Sequence, residues 1–180
     1  PDPTLHLTIP ELIKQGKMGE VIVVAPENST NFTCCGYDNS EVQGNWLDFI
    51  CEDLPQFIES NYRCLTGVNN RALMGHSSGG DAVLRLALKK PGYFNTVFAM
   101  SCAQLYAKDI NWLAELYEQH KPAIDDVISG TKTIEELDVY GHILLNLTQQ
   151  VLPDITNAPV FCKWPLQDND WRVFSQLTAE

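Results

Sequence analysis

The sequence predicts an α/β domain built on a mostly parallel sheet. Three observations carry that expectation. Short, apolar, β-branched runs alternate with stretches of helical periodicity along the 180 residues. A glycine-bounded serine, in Gly75-His76-Ser77-Ser78-Gly79-Gly80, sits where one such run gives way to a helix. Hydrophobic residues make up 44% and charged ones 19%, a balance that buries a core rather than leaving a disordered chain. A chain of this size buries roughly 70% of its unfolded surface and fits a single domain, here residues 1–180.

Val21-Ile22-Val23-Val24-Ala25, ended by Pro26, reads as a strand buried on both faces. Residues 28–45 are rich in Asn, Ser, Thr and Gly and read as a long loop. From Trp46 to Ser60 the residues Trp46, Phe49, Ile50, Leu54, Phe57 and Ile58 follow i, i+3, i+4 spacing, so a helix is predicted. Pro55 should bend it or start a second one. Arg71 to Met74 is a second buried strand. Ser78 to Lys90 is a helix with Ala82, Val83, Leu86 and Ala87 on one face, stopped by Pro91-Gly92. Thr96 to Ser101 is a third strand. Beyond it, Asn111 to His120 carries a helical stripe of Trp112, Leu113, Leu116 and Tyr117. Ile134 to Gln149 holds one or two helices, and Pro159 to Lys163 a short strand.

Charge and cysteines bound the function. Acids outnumber bases 23 to 12, a net charge of −11, which argues against a nucleic-acid partner. No apolar run approaches the roughly 18 residues of a membrane span. Six cysteines, Cys34, Cys35, Cys51, Cys64, Cys102 and Cys162, contain no C-x-x-C pair, so neither a zinc nor a redox site is expected. An even count is compatible with disulfides, and buried inert thiols explain it equally well. Asn28-Ser29-Thr30, Asn31-Phe32-Thr33 and Asn146-Leu147-Thr148 are glycosylation triplets for a chain that enters a secretory pathway. Together these features lean toward an extracellular glycoprotein, with the cytoplasm as the alternative. Residues 1–11 lack the basic and apolar regions of a signal peptide.

The chemistry lies in Gly75-His76-Ser77-Ser78-Gly79. G-x-S-x-G between strand and helix predicts a sharp turn that lifts the Ser77 hydroxyl above the strand ends. Gly75 and Gly79 are expected to give strand and helix room to approach. The Ser78 N–H, at the helix N-terminus, is placed to bind a developing oxyanion. A glycine-rich turn without chemistry is the bland alternative. A phosphate-binding loop is disfavoured, because the G-K-[ST] ending is missing. No H-E-x-x-H or compact Cys/His cluster suggests a metal, and no cofactor is expected.

A serine nucleophile needs a histidine base and an acid to orient it, in the chain order Ser, acid, His. His120 and His142 follow Ser77, with Asp109, Asp125 or Asp126 as acids between. His120 ends an amphipathic helix and suits a surface role beside the helix dipole. His142 starts a helix. His76 lies inside the elbow and should point away from the serine, and His6 precedes the motif. No histidine lies beyond 142.

Residues of roughly 12 to 105 resemble the putative-esterase family of α/β-hydrolases, which includes S-formylglutathione hydrolases, feruloyl and enterochelin esterases and mycolyltransferases. The resemblance rests on Val21–Pro26, Gly36-Tyr37-Asp38-Asn39-Ser40, Trp46 through Glu59, Arg71 to Gly80, Leu84 to Phe94 and Ala99-Met100-Ser101. It implies an α/β-hydrolase fold, with 21–25 as its fourth strand, the strand before Ser77 as its fifth, and an insertion-like region at about 106–158. It places Tyr37 and Trp46 near the elbow. The family's second oxyanion donor follows its third strand, and its acid and histidine follow the seventh and eighth. Leu5 to Ile9 is the one candidate strand before residue 21. If Pro159 to Lys163 were the seventh strand, Asp168 or Asp170 would be the acid; otherwise it lies past Glu180. The 180 residues are then expected to be the middle of a longer hydrolase.

The resulting expectation is a serine esterase that cleaves small-molecule or glycan-linked carboxylic or thioesters through an acyl-enzyme on Ser77. An acyltransferase with the same nucleophile, or an inactive binding module on the same scaffold, are the alternatives. Trp112, Tyr117 and Trp164 are candidate pocket residues, although a stripe at helical spacing is more often core.

Overall fold

The computed structural model describes residues 4–30, 36–102 and 110–166. Helix α1 spans Leu5–Lys14, where Leu5, Ile9, Leu12 and Ile13 form a half-buried stripe. That spacing is helical, which is why Leu5 to Ile9 is not a strand. A two-residue antiparallel pair follows, β1 (Asn39–Ser40) with β2 (Gly44–Asn45). Trp46 to Asn61 is helical throughout but not uniform. It runs as α2 (Trp46–Asp48), a π turn (Phe49–Asp53) and α3 (Leu54–Asn61). The wider turn ends just before Pro55, which lies in the first turn of α3 where a missing N–H is tolerated.

The elements that carry the elbow come next. Strand β3 (Ala72–His76) pairs in parallel with β4 (Thr96–Met100), in register from Ala72 opposite Thr96 to His76 opposite Met100. Helix α4 (Ser78–Lys89) connects them and packs on one face. Its Ala82, Val83 and Leu86 are buried, as their spacing predicts. Leu86 joins Leu47, Ile50 and Cys51 in a first core, with Leu73, Tyr93 and Phe94 against it. Lys90, just past α4, ties that helix to the end of α2 through Asp48 at 2.9 Å and to the π turn through Glu52 at 2.6 Å. The opposite sheet face is open: Met74 is 64% and Phe98 57% exposed.

Residues 21–25 correct the sequence reading. They form no strand, and Val21 to Val24 are exposed. A continuous β-branched run favours a buried strand only where neighbours hydrogen-bond both of its edges. The described sheet offers this run none, since β3 and β4 pair only with each other.

A second core lies in α5 (Ile110–Ile128), α6 (Val139–Val151) and the segment after α6. Tyr117, Ile124, Leu144, Leu145, Val160 and Cys162 are fully buried there. Helix α5 continues eight residues past His120, through Pro122. Pro159 to Lys163 is a turn with a single bridge between Pro153 and Cys162, not a strand. Its residues need no sheet, because Val160 and Cys162 plug the two-helix core directly. Among the described residues no helix is long and apolar enough to cross a membrane.

Buried amides link the two cores. The Gln43 carbonyl accepts from Gly36 N–H at 2.9 Å. Its amide nitrogen donates to Asn146 O at 3.2 Å and Gln149 Oε1 at 3.1 Å. Gln149, itself fully buried, donates to Val160 O at 2.9 Å. The sequence showed the residues of this bridge but not their pairing across 106 positions. Gln43→Ala would leave the buried Gly36 N–H and Gln149 carbonyl unpaired, each worth about 1–3 kcal/mol. Urea unfolding should therefore show a loss of at least about 1 kcal/mol; a change within about 0.5 kcal/mol, the range of bland surface substitutions, would refute the bridge.

Candidate active site

The strand–turn–helix at Ser77 is built by close approach. Parallel pairing continues one residue past β3, with Ser77 N–H donating to Met100 O at 2.9 Å. One turn later Asp81 N–H closes onto Ser77 O at 3.1 Å, starting α4. Between those two bonds the chain must reverse within one residue. Ser77 does so at φ 55°, ψ −121°, a combination L residues rarely hold and that costs about 1–3 kcal/mol. Its side chain does not cap the helix, and the residue is exposed.

The glycines show where contact is tightest. A Cβ on Gly75 would lie 2.0 Å from Gly79 O. One on Gly80 would lie 2.5 Å from Met100 O and 3.0 Å from Cys102 Sγ. A Cβ on Gly79 would meet nothing within 4 Å. The room therefore comes from Gly75 and Gly80, not from Gly75 and Gly79. It is the Gly79 carbonyl, rather than its missing side chain, that presses on the strand.

Ser78 is the first residue of α4 and is exposed. Its N–H belongs to the first turn, whose donors have no intrahelical partner, and it makes no hydrogen bond among the described residues. Hydroxyl and free N–H are thus adjacent at the positive end of a 12-residue helix. That arrangement can present a hydroxyl to a carbonyl carbon and one donor to the carbonyl oxygen.

No described histidine hydrogen-bonds Ser77. His76 lies on the open sheet face with Ala72 and Met74, and His6 is exposed on α1. His142 is half-buried, with Nδ1 3.0 Å from Asp138 O. His120 departs from its expected surface role. It lies within α5, 6% exposed, with Nδ1 3.2 Å from Asp138 Oδ1 and its ring stacked on Tyr140. The signal that could have placed it is helix length: Ala123, Ile124 and Val127 continue the stripe of Leu113, Leu116 and Tyr117. Of the candidate acids, Asp125 is taken by Lys121 and by Trp164 Nε1 at 2.8 Å, and Asp126 pairs with Lys132 at 2.9 Å. Asp109, Asp168 and Asp170 lie outside the described residues, as do Cys34, Cys35 and Asn31.

Other candidates sort by burial. Tyr117 is core, packed on Trp164 with ring centroids 5.3 Å apart. Trp112 is 45% exposed and lines a shallow cleft with Glu115, Gln119, His120 and Tyr140. Tyr37 packs against the first core, and Trp46 meets Phe49 edge-on. Cys51, Cys64, Cys102 and Cys162 are free thiols. Burial pushes Cys51 up to about 11 and Cys162 up to about 12, so neither is a thiolate nucleophile at neutral pH. Asn146 and Thr148 are buried inside α6, with Asn146 Oδ1 bonded to Gln150, so this triplet cannot carry a glycan in the folded chain. Asn28 is half-buried and donates to Tyr37 Oη at 2.6 Å. Among the described residues no group of three or more His, Cys, Asp or Glu could hold a metal.

The glycine contacts make a test by contrast. Gly75→Ala and Gly80→Ala should each cost more than about 2 kcal/mol, the scale of overpacking against backbone. Gly79→Ala should be neutral or stabilise by up to about 1 kcal/mol, since alanine favours a helix. Equal effects at all three positions in denaturant unfolding would contradict the packing described.

A model of the putative esterase family matches residues 7–149, from α1 through the elbow to near the end of α6. Comparison with curated proteins gave no match. With well over half of its length matched, the chain belongs to the putative esterase family, a group of esterase-type hydrolases.

Proposed function

We propose that the protein is a serine esterase of the α/β-hydrolase fold that cleaves carboxylic or thioesters, small or glycan-linked, through an acyl-enzyme on Ser77. The observation that carries this reading is the backbone of Ser77. A strained, solvent-facing serine at a strand end has no structural role that glycine would not fill at lower cost. Strain of this kind gathers at sites where geometry serves chemistry. The parallel β3/β4 pair with α4 behind it is the part of the fold that supports the reading, together with family membership.

In this mechanism the Ser77 Oγ attacks the acyl carbon and its proton passes to a general base. The carbonyl π pair moves onto oxygen, where the Ser78 N–H donates to it. A single preorganised donor of this type is worth about 3–4 kcal/mol of barrier. Collapse expels the alcohol or thiol, which takes up the proton. Water then attacks the Ser77 ester, releasing the acid and restoring the hydroxyl. Tyr117, Asp125 and Asp126 hold structural bonds and are left out of the mechanism.

A fluorophosphonate probe tests the reading directly. It should label the protein at Ser77, shown by peptide mapping, and Ser77→Ala should abolish the label while leaving the unfolding midpoint unchanged or higher. Folded protein that takes no label would overturn the nucleophile and favour an inactive binding module on the same scaffold. If labelling occurs, product analysis with water and a sugar acceptor separates hydrolysis from acyl transfer.

A further inference from the structure

Four described residues other than glycine hold positive φ: Tyr37, Ser77, Ser101 and Phe161. Two of them are neighbours. In a parallel ladder a residue donates to the carbonyl just before its partner, so the bond from Ser77 N–H to Met100 O sets Ser77 opposite Ser101. Adjacent strands lie about 4.8 Å apart. Ser101, at φ 50°, is exposed like Ser77. Tyr37 is half-buried against the first core, and Phe161 lies in a turn whose neighbours Val160 and Cys162 plug the second, so both have packing reasons for their shape. Ser101 has no such anchor in its own side chain.

Its conformation is imposed from both sides. Before it, Met100 is locked into the ladder by His76 and Ser77. Around it, the missing Gly80 side chain lets the start of α4 press on Met100 O and Cys102 Sγ. The chain must leave β4 between those contacts, and Ser101 takes the bend. Glycine or asparagine would hold that bend at less cost. A serine kept there is a second strained hydroxyl beside the first, at the carboxyl ends of neighbouring parallel strands. Open α/β sheets bind their ligands beyond those ends.

We propose that Ser101 is a substrate-contacting residue whose hydroxyl donates a hydrogen bond to an oxygen of the ester held at Ser77. The inference rests on the nucleophile reading above. It adds a side-chain donor from β4 to the backbone donor from α4, so the reacting group is approached from two elements. No bond to Ser101 forms or breaks; it positions the ester.

The test separates strain from contact by using replacements that rank differently on each. Ser101→Gly and Ser101→Asn relieve the backbone, and Ser101→Ala does not. Ser101→Asn alone among them keeps a donor. Unfolding midpoints should therefore rise for Gly and Asn and stay near wild type for Ala. Fluorophosphonate labelling rates at Ser77 should follow another order: Ala and Gly roughly tenfold slower, the loss of one hydrogen bond, and Asn closer to wild type. Rates equal to wild type in Ala and Gly would overturn the proposal, as would rates that track the unfolding midpoints. A wild-type protein that does not label at all, with Ser77→Ala identical to it, overturns the nucleophile reading itself and this inference with it.

Discussion

The structure around Ser77 depends on one constraint: two hydrogen bonds that must be made on either side of a single residue. The first continues the β3/β4 ladder to Met100 O, and the second opens α4 from Ser77 O. Each is an ordinary backbone bond of the kind a buried strand end or helix start needs. Making both forces the reversal into Ser77 and leaves no regular backbone state for it. The same closeness explains Gly75 and Gly80, whose absent side chains admit Gly79 O and Met100 O. Strain, glycines and exposed hydroxyl are thus one feature seen from three residues.

What lies behind that turn is spare. One face of β3 and β4 is covered by α4, through Ala82, Val83 and Leu86, and the other is open at Met74 and Phe98. The first core reaches outward from Leu86 to Leu47, Ile50 and Cys51 on the helical segment before β3. Arg85 Nη2, one turn past Asp81, donates to Gly36 O at 2.8 Å, and Gly36 N–H donates to Gln43. Gln43 in turn reaches α6. A chain of polar contacts therefore runs from α4 to the second core, which is otherwise built from its own residues. Buried amides suit that bridge: they bond only in one arrangement, whereas apolar faces would slide.

Much of this was legible in the sequence, and the failures share a cause. The helices over 46–61 and 78–89 follow from apolar spacing, and the turn at Ser77 from the glycine pattern between strand and helix. These are signals carried within a few residues. The run at 21–25 is also local, yet its meaning depends on strands beside it, and the described sheet supplies none. Local sequence does not place His120, because its surroundings come from Asp138 and Tyr140, eighteen and twenty residues on. Gly79 and Gly80 look alike in sequence; which one is needed is decided by the carbonyl of residue 100. The Asn146 triplet reads as a surface tag until helix periodicity turns it inward onto Gln43 and Gln150.

The same closeness bears on how firmly Ser77 is held. A two-stranded pair is marginal by itself. Among the described residues, strain of about 1–3 kcal/mol at Ser77 is opposed by the packing of α4 on that pair. Leu86 and Val83 are deep in that packing, while Ser77 and Ser78 are in solvent, five to nine residues before them. Loosening the helix would let the elbow relax toward an ordinary turn without touching the serine. Precision at the hydroxyl is therefore set in the core beneath it: the side chains that fix where Ser77 points are apolar, buried, and several residues removed from any chemistry.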